Sequence, residues 1–373
     1  MTPQEIHALE RAKGVSPNAT QIQRLASELG PELARWAVDQ WVLRSKASEK
    51  LSHSSQMLFT RSGIEMASHE QVAEWHASLF PSGETVVDAT CGIGADTIAL
   101  AKRGPVIGLD LQVEHARYAQ HNLDVCGLHA EIVHTDCLEW LRSNSPKYVY
   151  ADPARRDGSR RTLNPDEFVP NLGELLELLA RCKLAVIKLS PMLDDGFLES
   201  LGGKLIFVSH RGECKEALIV LGEESGRFAY QLESAQYIPA CHPPASTEVP
   251  LEYLFEADPA AIRAHALGDM GLLGLGDSHG YLTGSTGVES LWLTSYQVLW
   301  HGTWRPKAVK SYLLSENLYV ESVKTRGVQV DPRAVQKMLN EGKSPKPKKG
   351  HDTCVLALYP VGKSIRSVIL KRC

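Results

Sequence analysis

Four aspartates punctuate residues 88–152 of this 373-residue chain: Asp88, Asp110, Asp136 and Asp152. Each follows a short run rich in apolar or β-branched residues, namely Val86-Val87, Val106-Ile107-Gly108-Leu109, Ile132-Val133 and Tyr148-Val149-Tyr150-Ala151. Such runs predict strands, so the carboxylates are expected at or just past strand C-termini. After the first lies a glycine turn, Asp88-Ala89-Thr90-Cys91-Gly92-Ile93-Gly94-Ala95-Asp96, that leads into a helical segment. A tight turn at that edge brings backbone close to a ligand on the usual binding side of an open α/β sheet. Asp110 is placed to accept both hydroxyls of a ribose, and Asp136 to accept from an adenine amino group. Any one of these residues alone reads as a helix cap or turn residue. Their succession at strand ends argues for a shared ligand.

The ligand is not expected to be a dinucleotide. Asp96 and Thr97 stand where the third glycine of G-x-G-x-x-G would come, and an acidic group at a helix N-terminus repels a pyrophosphate. A molecule with ribose, adenine, a cationic centre and no phosphate fits better: S-adenosylmethionine (SAM).

The order Asp88/Gly92/Gly94, Asp110, Asp136, Asp152-Pro153 resembles class I SAM-dependent methyltransferases. Within them, Asp88–Asp96 and the upstream Met66-Ala67-Ser68-His69-Glu70 are similar to the trimethylguanosine synthase-like RNA methyltransferases. The chain also resembles bacterial methyltransferases with a C-terminal THUMP-like domain, through Tyr253-Leu254-Phe255-Glu256-Ala257-Asp258-Pro259 and Arg326-Gly327-Val328-Gln329-Val330-Asp331-Pro332. The resemblance implies a Rossmann-like sheet, SAM as cofactor and RNA as partner. With the strand-end spacing, it implies a cofactor set of Asp88, Thr90, Cys91, Gly92, Gly94, Asp96, Asp110 and Asp136. It further implies a catalytic set of Asp152, Pro153 and Arg155.

Amino-methylating relatives carry Asp/Asn-Pro-Pro-aromatic at the fourth strand end. This chain keeps Asp152-Pro153 and replaces the rest with Ala154-Arg155. An arginine can stack on a base or pair with a phosphate. Asp-Pro-x-Arg is also similar to the 5-methyluridine enzymes, but the matching Ile187-Lys188-Leu189-Ser190-Pro191 lacks their nucleophilic cysteine. Cys214 lies near the predicted edge strands and reads as a structural thiol. Arg155, Arg156, Arg160 and Arg161 cluster beyond the strand end, where they would draw a phosphate backbone.

These residues need a scaffold. Apolar spacing at Ile22, Leu25, Leu29, Leu33 and Trp36, and again at Val72, Trp75 and Leu79, predicts amphipathic helices over residues 1–80, with Pro31 opening a helix after Gly30. Strands and helices alternate from Thr85 to Leu221, predicting a doubly wound parallel sheet with Leu205–Ser209 and Ala217–Leu221 as an edge pair. Proline-rich residues 240–250 read as a linker, followed by a smaller α+β domain. The expected organisation is a helical segment 1–80, a methyltransferase domain 81–240 and a THUMP-like domain 247–373.

Composition narrows the class. Hydrophobic residues make up 43% of the chain, which excludes wholesale disorder and collagen. No apolar run approaches the ~20 residues of a membrane span, and the N-terminus is charged, so a cytoplasmic location is expected. The eight cysteines show no C-x-x-C, so no metal site is expected. Residues 301–373 hold 15 Lys+Arg against 5 Asp+Glu, whereas the first 300 hold 25 against 39. That basic piece, including Lys343–Lys349, suits either a polyanion surface or a solvated tail. Two other readings stay open: a small-molecule or protein methyltransferase whose C-terminal domain dimerises, and a non-catalytic SAM- or RNA-binding module.

Overall fold

Pro31 does open a helix immediately after Gly30, whose φ of +82° ends the preceding one. This is one of five helices before the first strand: α1 Pro3–Ala12, α2 Ala19–Leu29, α3 Pro31–Ala47, α4 Arg61–Met66 and α5 Glu70–Ser78. In this computed structural model residues 155, 158, 159 and 342–351 lie outside the description, and residues 156, 157, 160 and 161 are described by backbone alone.

The alternation then runs as expected: β1 Val86–Asp88, α6 Ala95–Ala101, β2 Val106–Asp110, α7 Val113–Val125, β3 Glu131–His134, α8 Cys137–Ser143 and β4 Tyr148–Ala151. A short antiparallel pair, β5 Arg156–Asp157 and β6 Arg160–Arg161, follows. Next come α9 Leu172–Leu179, β7 Leu184–Leu189, α10 Asp195–Ser200, β8 Lys204–His210 and β9 Glu213–Leu221. Strands β1, β2, β3, β4 and β7 pair in parallel in the order β3-β2-β1-β4-β7. Strands β1, β4 and most of β7 are buried, which explains their near-continuous apolar runs.

Compactness divides the chain into two units, residues 1–205 with 218–225, and residues 206–217 with 226–373. The N-terminal helices therefore share a unit with the parallel sheet instead of standing apart as 1–80. The reason is a common core: Ala34, Ala37, Val38 and Leu43 of α3 join Leu58, Phe59, Ile93, Ile98, Tyr118 and Leu123 in one cluster. Polar ties reinforce it, with Trp36 Nε1 donating to Tyr118 Oη at 2.8 Å and Arg117 meeting Glu5 at 2.8 Å.

The first domain was expected to run to residue 240, but residues 226–240 belong to the second unit. There β10 Gly226–Gln231 and β11 Gln236–Pro239 form an antiparallel hairpin, with β10 beside β8. Strand β8 is thus not an edge.

The second unit continues with β12 Ser246–Thr247, β13 Tyr253–Ala257, α11 Pro259–Arg263, β14 Leu273–Leu275, β15 Tyr281–Gly284 and β16 Leu293–Thr303. Then follow α12 Pro306–Ser315, β17 Leu318–Thr325, α13 Pro332–Leu339, β18 Asp352–Val361 and β19 Ser364–Arg372. Strands β12–β19 make an eight-stranded mixed sheet in the order β12-β14-β15-β13-β16-β19-β18-β17. Val309 and Leu313 of α12, with Val335 and Leu339 of α13, cluster with the sheet residues Val320, Leu356 and Ile369. Strand β18 turns at Gly362 (φ +55°) into β19. Among the described residues no helix is long and apolar enough to cross a membrane.

Candidate active site

The glycine turn takes its shape from two left-handed residues, Gly92 (φ +52°) and Gly94 (φ +92°). At Gly94 a Cβ would lie 3.2 Å from the Ala119 Cα, so glycine also permits close approach of α7. At Gly92 a Cβ would meet nothing within 4 Å, so the turn opens onto free space. Asp110, at the end of β2, faces this turn. Its Oδ2 accepts from Gly92 N at 2.9 Å and its Oδ1 from Gln112 N at 2.8 Å. His115 approaches the same carboxylate, Nδ1 to Oδ1 at 3.5 Å, and its Nε2 lies 3.0 Å from Thr60 Oγ1. Asp136 caps α8, accepting from Leu138 N at 2.7 Å and Glu139 N at 3.4 Å, both at Oδ1. Cys91 is buried, its backbone N donating to Leu109 O, and burial pushes the thiol pKa well above its ordinary value.

A second group of charges gathers behind the turn. Asp88 is fully buried; Thr97 Oγ1 donates to its Oδ2 at 2.6 Å and Thr90 N to its Oδ1 at 3.3 Å. Loss of solvation raises its pKa to about 7, and the nearby Asp96 and Asp152 charges push the same way. Asp96 goes in the opposite direction. Burial opposes its ionisation, but His76, Lys188 and Ser68 together outweigh that cost and lower its pKa. Ser68 Oγ donates to Asp96 Oδ2 at 2.8 Å, and His76 Nδ1 lies 2.8 Å from Oδ1. Tyr150 Oη is 3.2 Å from the same His76 nitrogen.

Asp152 follows β4 and is anchored by its own backbone N, which donates to Thr90 Oγ1 at 2.7 Å. Its carboxylate meets Lys188 of β7, Nζ to Oδ2 at 2.6 Å, and Lys188 Nζ also lies 3.3 Å from Ser68 Oγ. Pro153 adjoins Asp152 in the chain. Arg155 lies outside the described residues, as do the side chains of Arg156, Arg160 and Arg161 and the whole of Lys343–Lys349.

The expected residues thus separate into a group around the glycine turn (Gly92, Asp110, Asp136) and a group behind it (Asp88, Asp96, Asp152 with Thr90). The sequence reading assigned no role to Ser68, His76, Lys188, Tyr150 or His115. Ser68 and Lys188 stood inside stretches already singled out, and a buried-strand lysine within Leu184–Leu189 was the available signal. Cys214 lies in the second unit with its thiol pushed up to about 12 by burial. Arg326 pairs with Glu256 at 3.4 Å, beside Lys324 on the same carboxylate. Among the described residues no cluster of His, Cys, Asp and Glu fit to hold a metal ion occurs.

Residues 83–190 match the model of a family described as RNA cap guanine-N2 methyltransferase. The chain is similar to a candidate methyltransferase of Porphyromonas gingivalis W83 at 22% identity, with a TM-score of 0.79 over 99% of this chain and 98% of that one. It aligns more distantly with a 16S rRNA N2 methyltransferase of T. thermophilus, solved with AdoMet and guanosine. That alignment has 18% identity and a TM-score of 0.32, covering 44% of this chain and 43% of the other. No curated protein matches the chain significantly. The fold is the Rossmann-like class I methyltransferase fold, and the first unit carries a SAM-dependent methyltransferase domain.

Proposed function

We propose that this protein moves a methyl group from SAM to a base in structured RNA, and that it does so in the cytoplasm. One observation carries the reading: the segment similar to an RNA-methylating family ends its fourth strand in Asp152-Pro153, with the Asp152 carboxylate held at the strand edge by Lys188.

The residues present suit SAM. The space beside Gly92 leaves room for a ligand against bare backbone. Asp110 accepts one backbone N–H on each oxygen, with His115 also beside Oδ1, and Oδ2 keeps a lone pair for a ribose hydroxyl. Asp136 holds α8 through Oδ1, and Oδ2 faces no such demand, so an adenine amino group can donate there. When bound, SAM supplies a methyl group on a cationic sulfur, which needs no covalent help from the protein. The chain's own contribution is position. Asp152 accepts an N–H of the target amino group and turns the nitrogen lone pair toward the methyl group. Arg155, replacing the usual aromatic residue, stacks on the base or pairs with its phosphate.

The basic balance of residues 301–373 supports a polyanionic acceptor, and the THUMP-like resemblance of residues 247–373 assigns that part to gripping RNA. The test is incubation of the purified protein with labelled SAM and RNA from a strain lacking the gene, then nucleoside mass spectrometry. A single new methylated nucleoside is expected. Label appearing in a small molecule or in protein, with none in RNA, would replace this reading with another methyltransferase activity.

A further inference from the structure

We propose that Lys188 is a positioning residue of the acceptor site, fixing the Asp152 carboxylate and coupling it through Ser68 to the N-terminal helices. This deepens the RNA methyltransferase reading and rests on it.

Three carboxylates converge here from three different elements: Asp88 on β1, Asp96 on α6 and Asp152 after β4. The Asp96 and Asp152 charges both bear on Asp88. With Asp88 holding its proton, Asp96 and Asp152 still place two negative charges close together in a largely covered place, and a cation between them offsets the cost. Lys188 supplies one from β7, with its side chain only 16% exposed. Its ammonium reaches Asp152 Oδ2 at 2.6 Å and Ser68 Oγ at 3.3 Å, and Ser68 passes the contact on to Asp96 Oδ2 at 2.8 Å. His76 of α5 and Tyr150 of β4 also face the cluster.

The position matters more than the charge. Relatives hold the target amine with a rigid Pro-Pro-aromatic segment after the acidic residue, whereas here Ala154-Arg155 follows Pro153. The Thr90 hydroxyl on its backbone and the Lys188 ammonium on its carboxylate both orient Asp152. A lysine on the neighbouring parallel strand does work that the local motif performs elsewhere.

The experiment uses the full chain, labelled SAM and RNA from a strain lacking the gene. In single turnover Lys188→Met should lower methyl transfer about 100-fold while the SAM Kd from calorimetry stays within about threefold, the pattern of a lost orientation and not a lost cofactor site. Lys188→Arg should recover at least about tenfold of that loss, because a cation again meets Asp152. The acid limb of the rate–pH profile should move up in Lys188→Met and return in Lys188→Arg. A second measurement needs no turnover: the ¹⁵N-ammonium resonance of Lys188 should shift on the isosteric Asp152→Asn change. Wild-type transfer by a folded Lys188→Met, or an ammonium signal indifferent to Asp152→Asn, overturns the proposal. If the wild type binds SAM but labels no RNA, the functional reading falls instead, and the ammonium measurement still decides whether the pair exists.

Discussion

Asp110 and Asp96 lie fourteen residues apart in one domain and are almost equally covered, 13% and 11% exposed, yet their carboxylates are held differently. Asp110 accepts from two backbone N–H groups of the turn and the following loop, with His115 Nδ1 3.5 Å from Oδ1. Asp96 is buried among side chains, with one oxygen bonded to Ser68 and the other to His76. Asp136 sides with the first, Asp88 with the second. An acidic residue at a strand end or in a glycine turn is thus no guide by itself to what it does. What its two oxygens already hold separates a ligand group from a scaffold group.

The contrast can be broken at Asp96 first. Asp96→Ala strands the Ser68 hydroxyl and His76 in a buried place and should cost about 3–5 kcal/mol, read from urea unfolding. A loss below about 1 kcal/mol would mean that the cluster is not holding the domain together. At Asp110 the roles reverse: Asp110→Ala should weaken SAM binding by about 1–3 kcal/mol in calorimetry. Unchanged affinity would remove Asp110 from the cofactor site. The third effect is a slope spread over pH. Asp88, with its pKa raised from 3.8 to about 7, holds a proton in the folded chain that the unfolded chain has released. Between pH 4 and 7 the folded state therefore binds more protons, and stability should fall as pH rises, by at most about 1.4 kcal/mol per unit, then level off above pH 7. Asp88→Asn should flatten that slope. A wild-type profile that rises from pH 4 to 7 in parallel with Asp88→Asn would show that Asp88 ionises normally.

The group around the glycine turn was legible because its geometry is local. Strand β3 runs over Glu131–His134 as the sequence suggests, β2 ends on Asp110, and the glycines stand between. The partners of Asp96 and Asp152 were not, because they come from far along the chain: Ser68 and Lys188 are 120 positions apart, and Tyr150 and His76 are 74. No periodicity links such pairs; only the folded sheet does. The second unit was read less completely for a different reason. In β16 only Tyr296 is fully buried, so neither a clean alternation nor an apolar run marks its 11 residues. Strands β10, β14, β15 and β19 and helix α12 went unassigned. Strand β19 hides its four buried residues, Ser367–Leu370, between exposed or half-buried ends.

Gly63 of α4 sits so close to the glycine turn that a Cβ there would come within 2.5 Å of Ile93 Cγ2. Together with Ser68 and His76, this makes the first 80 residues a lid sealed to the fold, not a detachable extension. Modularity follows a different boundary from the one that similarity draws. A fragment trimmed to residues 83–190 would keep the glycine turn and all four strand-end aspartates, yet it would bare Ile93, Tyr118 and Leu123 and leave Asp96 without His76 or Ser68. Such a piece would be sticky and unstable. Gene shuffling could not exchange the helices before β1 without rebuilding the cluster of Asp88, Asp96 and Asp152 that Ser68 and His76 help to hold.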